Sequence, residues 1–352
     1  MLWDIVTALV IGAAFLFLLT NGLNDASAVV AAMIGCGAAL PLHAIAFAGV
    51  WELTGAIFGG SAVAYTVSKM IHVAPGHQLL LLLLVALVAA IAWNIFTWQI
   101  GMPSSSTHAL IGGLIGAACI SAGPGRVAWG WEELLQGQLT GIMKVIAGLI
   151  LSPAFGFLVA YCMQMIMEGV LKNTPYATSN CWLKRLQWVV VATLAYNHGS
   201  NDTQKVMGVV ILALVSAGVH TGAGYDIPFW LRLTTGVIIV MGILSGGWSI
   251  MKTVGRGIFT LRPIHSFDSL LSSGASLLTA TALGAPVSTT HLVVGSITGA
   301  GSADEHRMVN WKTGQNIVFA WLVTIPASAL LAVLLYAPLW FMVTWLEGPL
   351  GV

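Results

Sequence analysis

Apolar runs long enough to cross a bilayer follow one another almost without pause from residue 3 to residue 346, and this constrains the chain more than any other feature. A hydrocarbon layer about 30 Å thick takes about 20 apolar residues per helix and offers no partner to bare peptide groups, so only helices or a closed barrel can cross it. The uninterrupted apolar sequence over 79–95 lacks the alternation of a barrel strand, which leaves helices. Only 7% of the 352 residues are charged, against roughly 25% in a soluble domain. Thirteen basic against twelve acidic residues leave a net charge of +1, no surplus with which to hold a nucleic acid. A water-soluble enzyme and a nucleic-acid binder are both excluded. Cys36, Cys119, Cys162 and Cys181 show no Cys-x-x-Cys spacing and point to no metal or redox chemistry. Residues 1–20 have no basic leader and no small-residue cleavage site, so they are expected to be a retained first span.

The apolar stretches run approximately over 3–20, 25–39, 43–66, 79–99, 105–121, 138–168, 186–196, 203–219, 229–250, 265–283, 289–301 and 313–346. Three of them, 25–39, 186–196 and 289–301, fall short of the ~17 residues a span needs, and each abuts a polar cluster. They are expected to be broken or re-entrant helices. The stretches 138–168 and 313–346 are too long for one upright span, and Pro153 and Pro326 offer each a kink. Lys172, Lys184 and Arg185 in the connection 169–185, and Lys252, Arg256 and Arg262 in 251–264, place both connections in the cytoplasm by the positive-inside rule. An even number of crossings must separate them. Hence 186–196 and 203–219 count as one crossing interrupted at 197–202, with 229–250 returning. The same reasoning puts 302–312 inside and 67–78, 122–133 and 220–232 outside, with both termini outside.

The two halves share three markers in the same order. Gly22-Leu23-Asn24-Asp25 matches Gly199-Ser200-Asn201-Asp202. Pro103-Ser104-Ser105-Ser106-Thr107-His108, followed by Gly112 and Gly116, matches Pro286-Val287-Ser288-Thr289-Thr290-His291, followed by Gly295 and Gly299. Pro153-Ala154 matches Pro326-Ala327. The expected chain is therefore an all-α polytopic membrane protein of about 10–12 transmembrane or re-entrant segments, in two inverted-topology repeats with broken helices. The first repeat covers 1–168, a cytoplasmic linker 169–185 and the second repeat 186–352. Inversion follows because the connections 67–78 and 251–264, equivalent by position, fall on opposite sides. Repeats of this kind, with interrupted helices at mid-membrane, mark secondary transporters.

Ser and Thr ahead of an apolar helical run cap a helix start, where forward-pointing N–H groups and the positive end of the dipole bind oxyanions. Ser105, Ser106, Thr107, Ser288, Thr289 and Thr290 are thus substrate-binding candidates, weighed against a purely structural use as caps or packing residues. A carboxylate at membrane depth costs about 2.5 to 3.5 kcal/mol, so Asp25 and Asp202 are expected to face an ion path, with Asn24 and Asn201 beside them. Lys205, one turn from Asp202, would otherwise neutralise it. Glu52 also lies at membrane depth. His108 and His291 are expected to orient the Ser/Thr loops by hydrogen bonds.

These motifs, with Glu52-Leu53-Thr54-Gly55 and the run from Gly246-Gly247-Trp248 through Lys252-Thr253-Val254-Gly255 to Pro263-Ile264, give the sequence a resemblance to the inorganic phosphate transporter (PiT) family over nearly its whole length. The resemblance implies a cation-coupled secondary transporter of phosphate in the cytoplasmic membrane, often a homodimer, with no bound cofactor. Its partners would be inorganic phosphate and membrane lipid. It also implies that Asn24, Asp25, Asn201 and Asp202 form the substrate and ion sites with Ser105, Ser106, Thr107, Ser288, Thr289 and Thr290. Sodium would sit at Asp25 and Asp202, and Lys205 and Glu52 would belong to the coupling-ion group. Two departures bear on the coupling ion. Ala28 stands where the family has an asparagine, and Gln204-Lys205 resembles a bacterial variant thought to be proton-coupled. An ammonium there either stands in for one bound cation or binds the anion itself. The sequence reading therefore favours protons over sodium.

Phosphate offers bare oxygens and a P–OH, so it needs donors and an acceptor; sulfate lacks the hydroxyl and would leave a buried acceptor unpaired, a penalty of about 1 to 3 kcal/mol. A sulfate or other oxyanion permease of the same fold is the alternative. A passive channel and a membrane enzyme acting on phosphorylated lipid are the other classes, and no nucleophile–base spacing supports the last.

Overall fold

The computed structural model describes residues 2–219 and 227–350, with side chains from 3 to 345. The described residues form helices joined by short connections, with one isolated antiparallel bridge between Ile71 and Val127. In chain order these are α1 (Leu2–Asn21), a π-helical turn (Gly22–Ala26), α2 (Ser27–Gly35), α3 (Pro41–Phe58), α4 (Ala62–Ser68), α5 (His77–Gln99), α6 (Ser106–Ser121), α7 (Trp131–Leu135) and α8 (Gly141–Leu171). There follow α9 (Tyr176–Ser216), α10 (Phe229–Ser245), α11 (Trp248–Lys252), a second π-helical turn (Thr253–Gly257), α12 (Pro263–Ala282), α13 (Thr289–Glu305) and α14 (Trp311–Leu350). Five described runs are long and apolar enough to span a membrane, and a sixth is the α10–α11 pair, bent by 66° at its break. Gly247 makes that bend, at φ 89° and with Ser27 and the Leu23 carbonyl against the place a Cβ would take.

Polarity is arranged inside out relative to a soluble protein. Leu151, Phe155 and Leu158 on α8 and Phe319, Leu322 and Leu334 on α14 are exposed, as side chains facing lipid should be, while serines, threonines and carboxylates lie in the interior.

Two expected interruptions take another form. The stretch 25–39 is no separate segment: α1 continues into α2 through the π-helical turn, so Trp3–Gly35 is one apolar run. An extra residue per turn accommodates the Gly22-Leu23-Asn24-Asp25 cluster without breaking the helix. In the second half the break at 197–202 is absent, and α9 runs unbroken from Tyr176 to Ser216. No proline stands in that run, and Gly199 and Gly208 alone are too weak to end a helix whose backbone is internally bonded. For the same reason the connection expected over 169–185 shrinks to 172–175, since charge at Lys184 and Arg185 does not stop a helix. Of the connection 220–232, residues 220–226 lie outside the described residues.

Packing joins the halves crosswise. Gly112 and Gly116 on α6 lie so close to α14 that a Cβ would stand 2.5 Å from the Ile325 carbonyl oxygen and 2.2 Å from that of Ala329. Gly295 and Gly299 on α13 meet α8 in the same way, at 2.3 Å from the Pro153 oxygen and 2.1 Å from the Phe157 oxygen. Small residues of this kind let membrane helices approach backbone to backbone. The result places the starts of α6 and α13 side by side in the interior.

Candidate functional site

Each of those starts is built alike. Ser105 is the N-cap of α6 and accepts from the His108 backbone N–H at 3.2 Å; Ser288 caps α13 and accepts from the His291 N–H at 3.4 Å. Of the predicted substrate residues these two are therefore engaged as caps. The histidines bond through their backbone rather than their rings, contrary to expectation. The rings lie 4.9 Å apart, and that of His291 stacks on Trp321, whose indole N–H donates to the Pro103 carbonyl at 3.1 Å.

The next residue in each cluster differs in use. Ser106 and Thr289 are buried, and neither hydroxyl has a partner. A buried hydroxyl left unbonded is costly unless something else meets it, and both sit in the first turn of a helix where an anion is favoured. Thr107 and Thr290 instead reach across to the acidic residues.

The acidic residues form one connected cluster. Thr290 Oγ1 donates to Asp25 Oδ1 at 2.5 Å. Asp25 Oδ2 accepts from Asn21 Nδ2 at 3.0 Å and from the Ser106 backbone N–H at 3.3 Å. The same Asn21 amide donates to Asp202 Oδ2 at 2.7 Å, so one side chain bridges both carboxylates. Lys205 Nζ donates to Asp202 Oδ1 at 2.6 Å, to Thr107 Oγ1 at 2.6 Å and to the Val287 carbonyl at 2.9 Å. Asp25, Asp202 and Lys205 are each no more than 2% exposed.

Asn24 and Asn201, both buried, play matching parts. Asn24 donates to the Asn94 carbonyl at 3.1 Å, and Asn201 to Thr281 Oγ1 at 3.0 Å and the Ala285 carbonyl at 3.2 Å. Each keeps its own buried amide oxygen unpartnered, an acceptor available to a cation or a P–OH. Glu52 does not join the centre directly. His198 stands between, with Nδ1 2.9 Å from Glu52 Oε1 and Nε2 3.4 Å from Asp202 Oδ2.

Asn21 and His198 were missed in the sequence reading, although a signal was present: each precedes the glycine of a Gly-x-Asn-Asp motif, so the two are matched positions and both are polar. Gly22 presses on α10 and Gly199 on α3, where a Cβ would stand 2.7 Å from the Ile239 oxygen and 2.2 Å from the Glu52 oxygen. That approach carries each motif into the interior.

Known proteins resemble this chain over most of its length. A family model described as the phosphate transporter family matches residues 21–332. A Bacillus subtilis protein named "Probable low-affinity inorganic phosphate transporter" is 37% identical over 336 residues, covering 94% of this chain and 96% of its own. A Rhizobium meliloti protein of the same name is 36% identical over 327 residues, covering 93% and 94%. A solved structure described as "The sodium-dependent phosphate transporter" matches with a TM-score of 0.81 at 25% identity, over 96% of this chain and 99% of that one. This last similarity overturns the expectation that protons are favoured over sodium. The physical reason lies in Lys205, on which that expectation leaned: its ammonium commits all three N–H groups to oxygens, as a fixed positive charge does.

Proposed function

The chain belongs to the phosphate transporter family, and from that premise we propose that it is a symporter that carries inorganic phosphate across the cytoplasmic membrane together with sodium. The observation that carries the reading is the convergence of two helix starts, one from each half, with the Ser106 and Thr289 hydroxyls unpartnered beside a carboxylate pair bridged by Asn21. Helix-end amides and the two hydroxyls supply donors for bare phosphate oxygens. The unpartnered oxygens of Asn24 and Asn201 supply acceptors for the P–OH, which sulfate could not satisfy.

Charge requires the cation. The buried centre with Asp25, Asp202 and Lys205, taken together with the His198–Glu52 pair beside it, holds three carboxylates, one ammonium and one imidazole, so it is already negative before an anion enters. A further negative charge in a medium of low polarity is unfavourable by several kcal/mol unless a cation comes with it. Sodium at Asp25 meets that need, and the similarity to a sodium-dependent phosphate transporter supports sodium as the ion. The reading takes the two halves as inverted repeats, both termini as outside and the working unit as a homodimer. Epitope accessibility at each terminus in sealed vesicles and cross-linking in the membrane test these points.

The main test is uptake of labelled phosphate by purified protein in liposomes, with sodium and pH gradients imposed separately. An inward sodium gradient should drive accumulation above equilibrium, and excess unlabelled sulfate should compete weakly. Accumulation that ignores sodium, or sulfate inhibition as strong as that of phosphate at equal concentration, overturns the proposal.

A further inference from the structure

Positions that the repeat makes equivalent are occupied differently around the two aspartates. Asp202 faces an ammonium: Lys205 Nζ sits among Asp202 Oδ1, Thr107 Oγ1 and the Val287 carbonyl, at 2.6, 2.6 and 2.9 Å. The equivalents of these oxygens in the other half are Asp25, Thr290 Oγ1 and the Ser104 carbonyl, and the equivalent of Lys205 is Ala28. Thr290 already lies 2.5 Å from Asp25. Yet every group bonded to Asp25, namely the Asn21 amide, the Thr290 hydroxyl and the Ser106 N–H, is a neutral donor. Next to it the oxygens of Asn21 and Asn24, both buried, have no partner. One acidic site thus carries its own cation, and its counterpart has the matching carboxylate and threonine hydroxyl with unpartnered asparagine oxygens, but no cationic side chain bonded to it. A hard monovalent cation is satisfied by carboxylate, hydroxyl and carbonyl oxygens together.

We infer that Lys205 is a built-in cation that permanently fills one of two matched cation positions, so that each phosphate moves with a single free sodium ion, bound at Asp25. The inference rests on the sodium-phosphate symport proposed above and fixes its stoichiometry. The arrangement also separates two roles left open for the lysine: its three N–H groups are turned to protein oxygens, which makes it a counter-ion to Asp202 rather than a ligand of the anion.

The experiment measures the sodium dependence of phosphate uptake, together with net charge moved per phosphate under a clamped membrane potential, in reconstituted protein. The native chain should give a Hill coefficient for sodium of about one. Lys205→Ala restores the second position: the coefficient should rise toward two and one more positive charge should move per phosphate. Ala28→Lys places an ammonium at both sites, and phosphate exchange should then continue without sodium. Variants are compared only where elution is monodisperse, and Ala28→Lys carries the test if Lys205→Ala fails to fold. A native coefficient of two, an unchanged coefficient in Lys205→Ala, or an Ala28→Lys protein that still requires sodium overturns the inference while leaving sodium symport standing. Uptake by the native chain that is indifferent to sodium removes both.

Discussion

Replacing Thr290 by valine changes one atom's chemistry and almost nothing else, which makes it a sharp probe of the centre. The hydroxyl donates to Asp25 Oδ1 at 2.5 Å and is 1% exposed, so water cannot take its place. A hydrogen bond to a charged group contributes about 1.5 to 3 kcal/mol, whereas helix-to-helix hydrogen bonds in membranes reach at most about 1.7. Asp25 keeps the Asn21 amide and the Ser106 N–H, so the lower figure, about 1.5 kcal/mol, applies. If Thr290 also offers a lone pair to sodium at Asp25, that energy appears as roughly a tenfold higher half-saturating sodium concentration. The matched substitution Thr107→Val removes an acceptor from Lys205, which keeps Asp202 Oδ1 and the Val287 carbonyl. Its sodium dependence should move less than about twofold. Sodium-titrated phosphate uptake in liposomes reads both variants, with thermal unfolding in detergent to establish that each is folded. Equal shifts in the two, or no shift in Thr290→Val, would refute the reasoning.

The other expectations concern the anion, the packing and the outer carboxylate. Ser106→Ala and Thr289→Val each remove an unpartnered hydroxyl; each should raise the KM for phosphate about tenfold, by about 1.4 kcal/mol, without altering sodium cooperativity, and normal phosphate kinetics in both would remove these residues from the anion site. Gly116→Ala and Gly299→Ala each set a Cβ near 2.2 Å or 2.1 Å from a carbonyl of the facing helix. Each should cost about 1 to 3 kcal/mol, and because they lie in separate interfaces the double variant should add the two, as read from unfolding in detergent. Glu52→Gln keeps the shape but removes one buried charge from the chain Glu52, His198, Asp202; phosphate uptake should fall while the protein remains folded, and unaltered uptake would make Glu52 structural.

Two classes of feature were legible in the sequence for different reasons. The Ser/Thr clusters were readable because capping chemistry is local: Ser105 and Ser288 need only the N–H three residues on. The Asp25 and Asp202 pair was readable because carboxylates at membrane depth are expensive enough to need a reason. What could not be read was which members of each cluster turn inward. Ser105 and Ser106 are adjacent and chemically identical, yet one is a cap and the other is unpartnered; only the register of the helix start decides. The missing break in α9 has a similar cause. Polar residues at 197–202 suggested an interruption because polarity in lipid is usually a fault in the helix, but here His198, Asn201, Asp202 and Lys205 find partners on other helices. With these side chains held by other helices, the backbone has no need to unwind to reach partners. Those partners come from residues up to 181 positions away in sequence, a distance no local pattern encodes.

The crosswise packing gives the site a property that neither half would have alone. Asp25 of the first half is bonded to Thr290 of the second, and Lys205 of the second to Thr107 of the first. Likewise α6 lies against α14 and α13 against α8, each through a pair of glycines touching carbonyls. A cation held by Asp25 and Thr290 therefore ties one half to the other, and its loss loosens the same contact. An anion between Ser106 and Thr289 would do so one residue earlier on both helices. On the proposed reading, binding of either solute would bias the relation between the halves, the differential interaction a conformational switch requires.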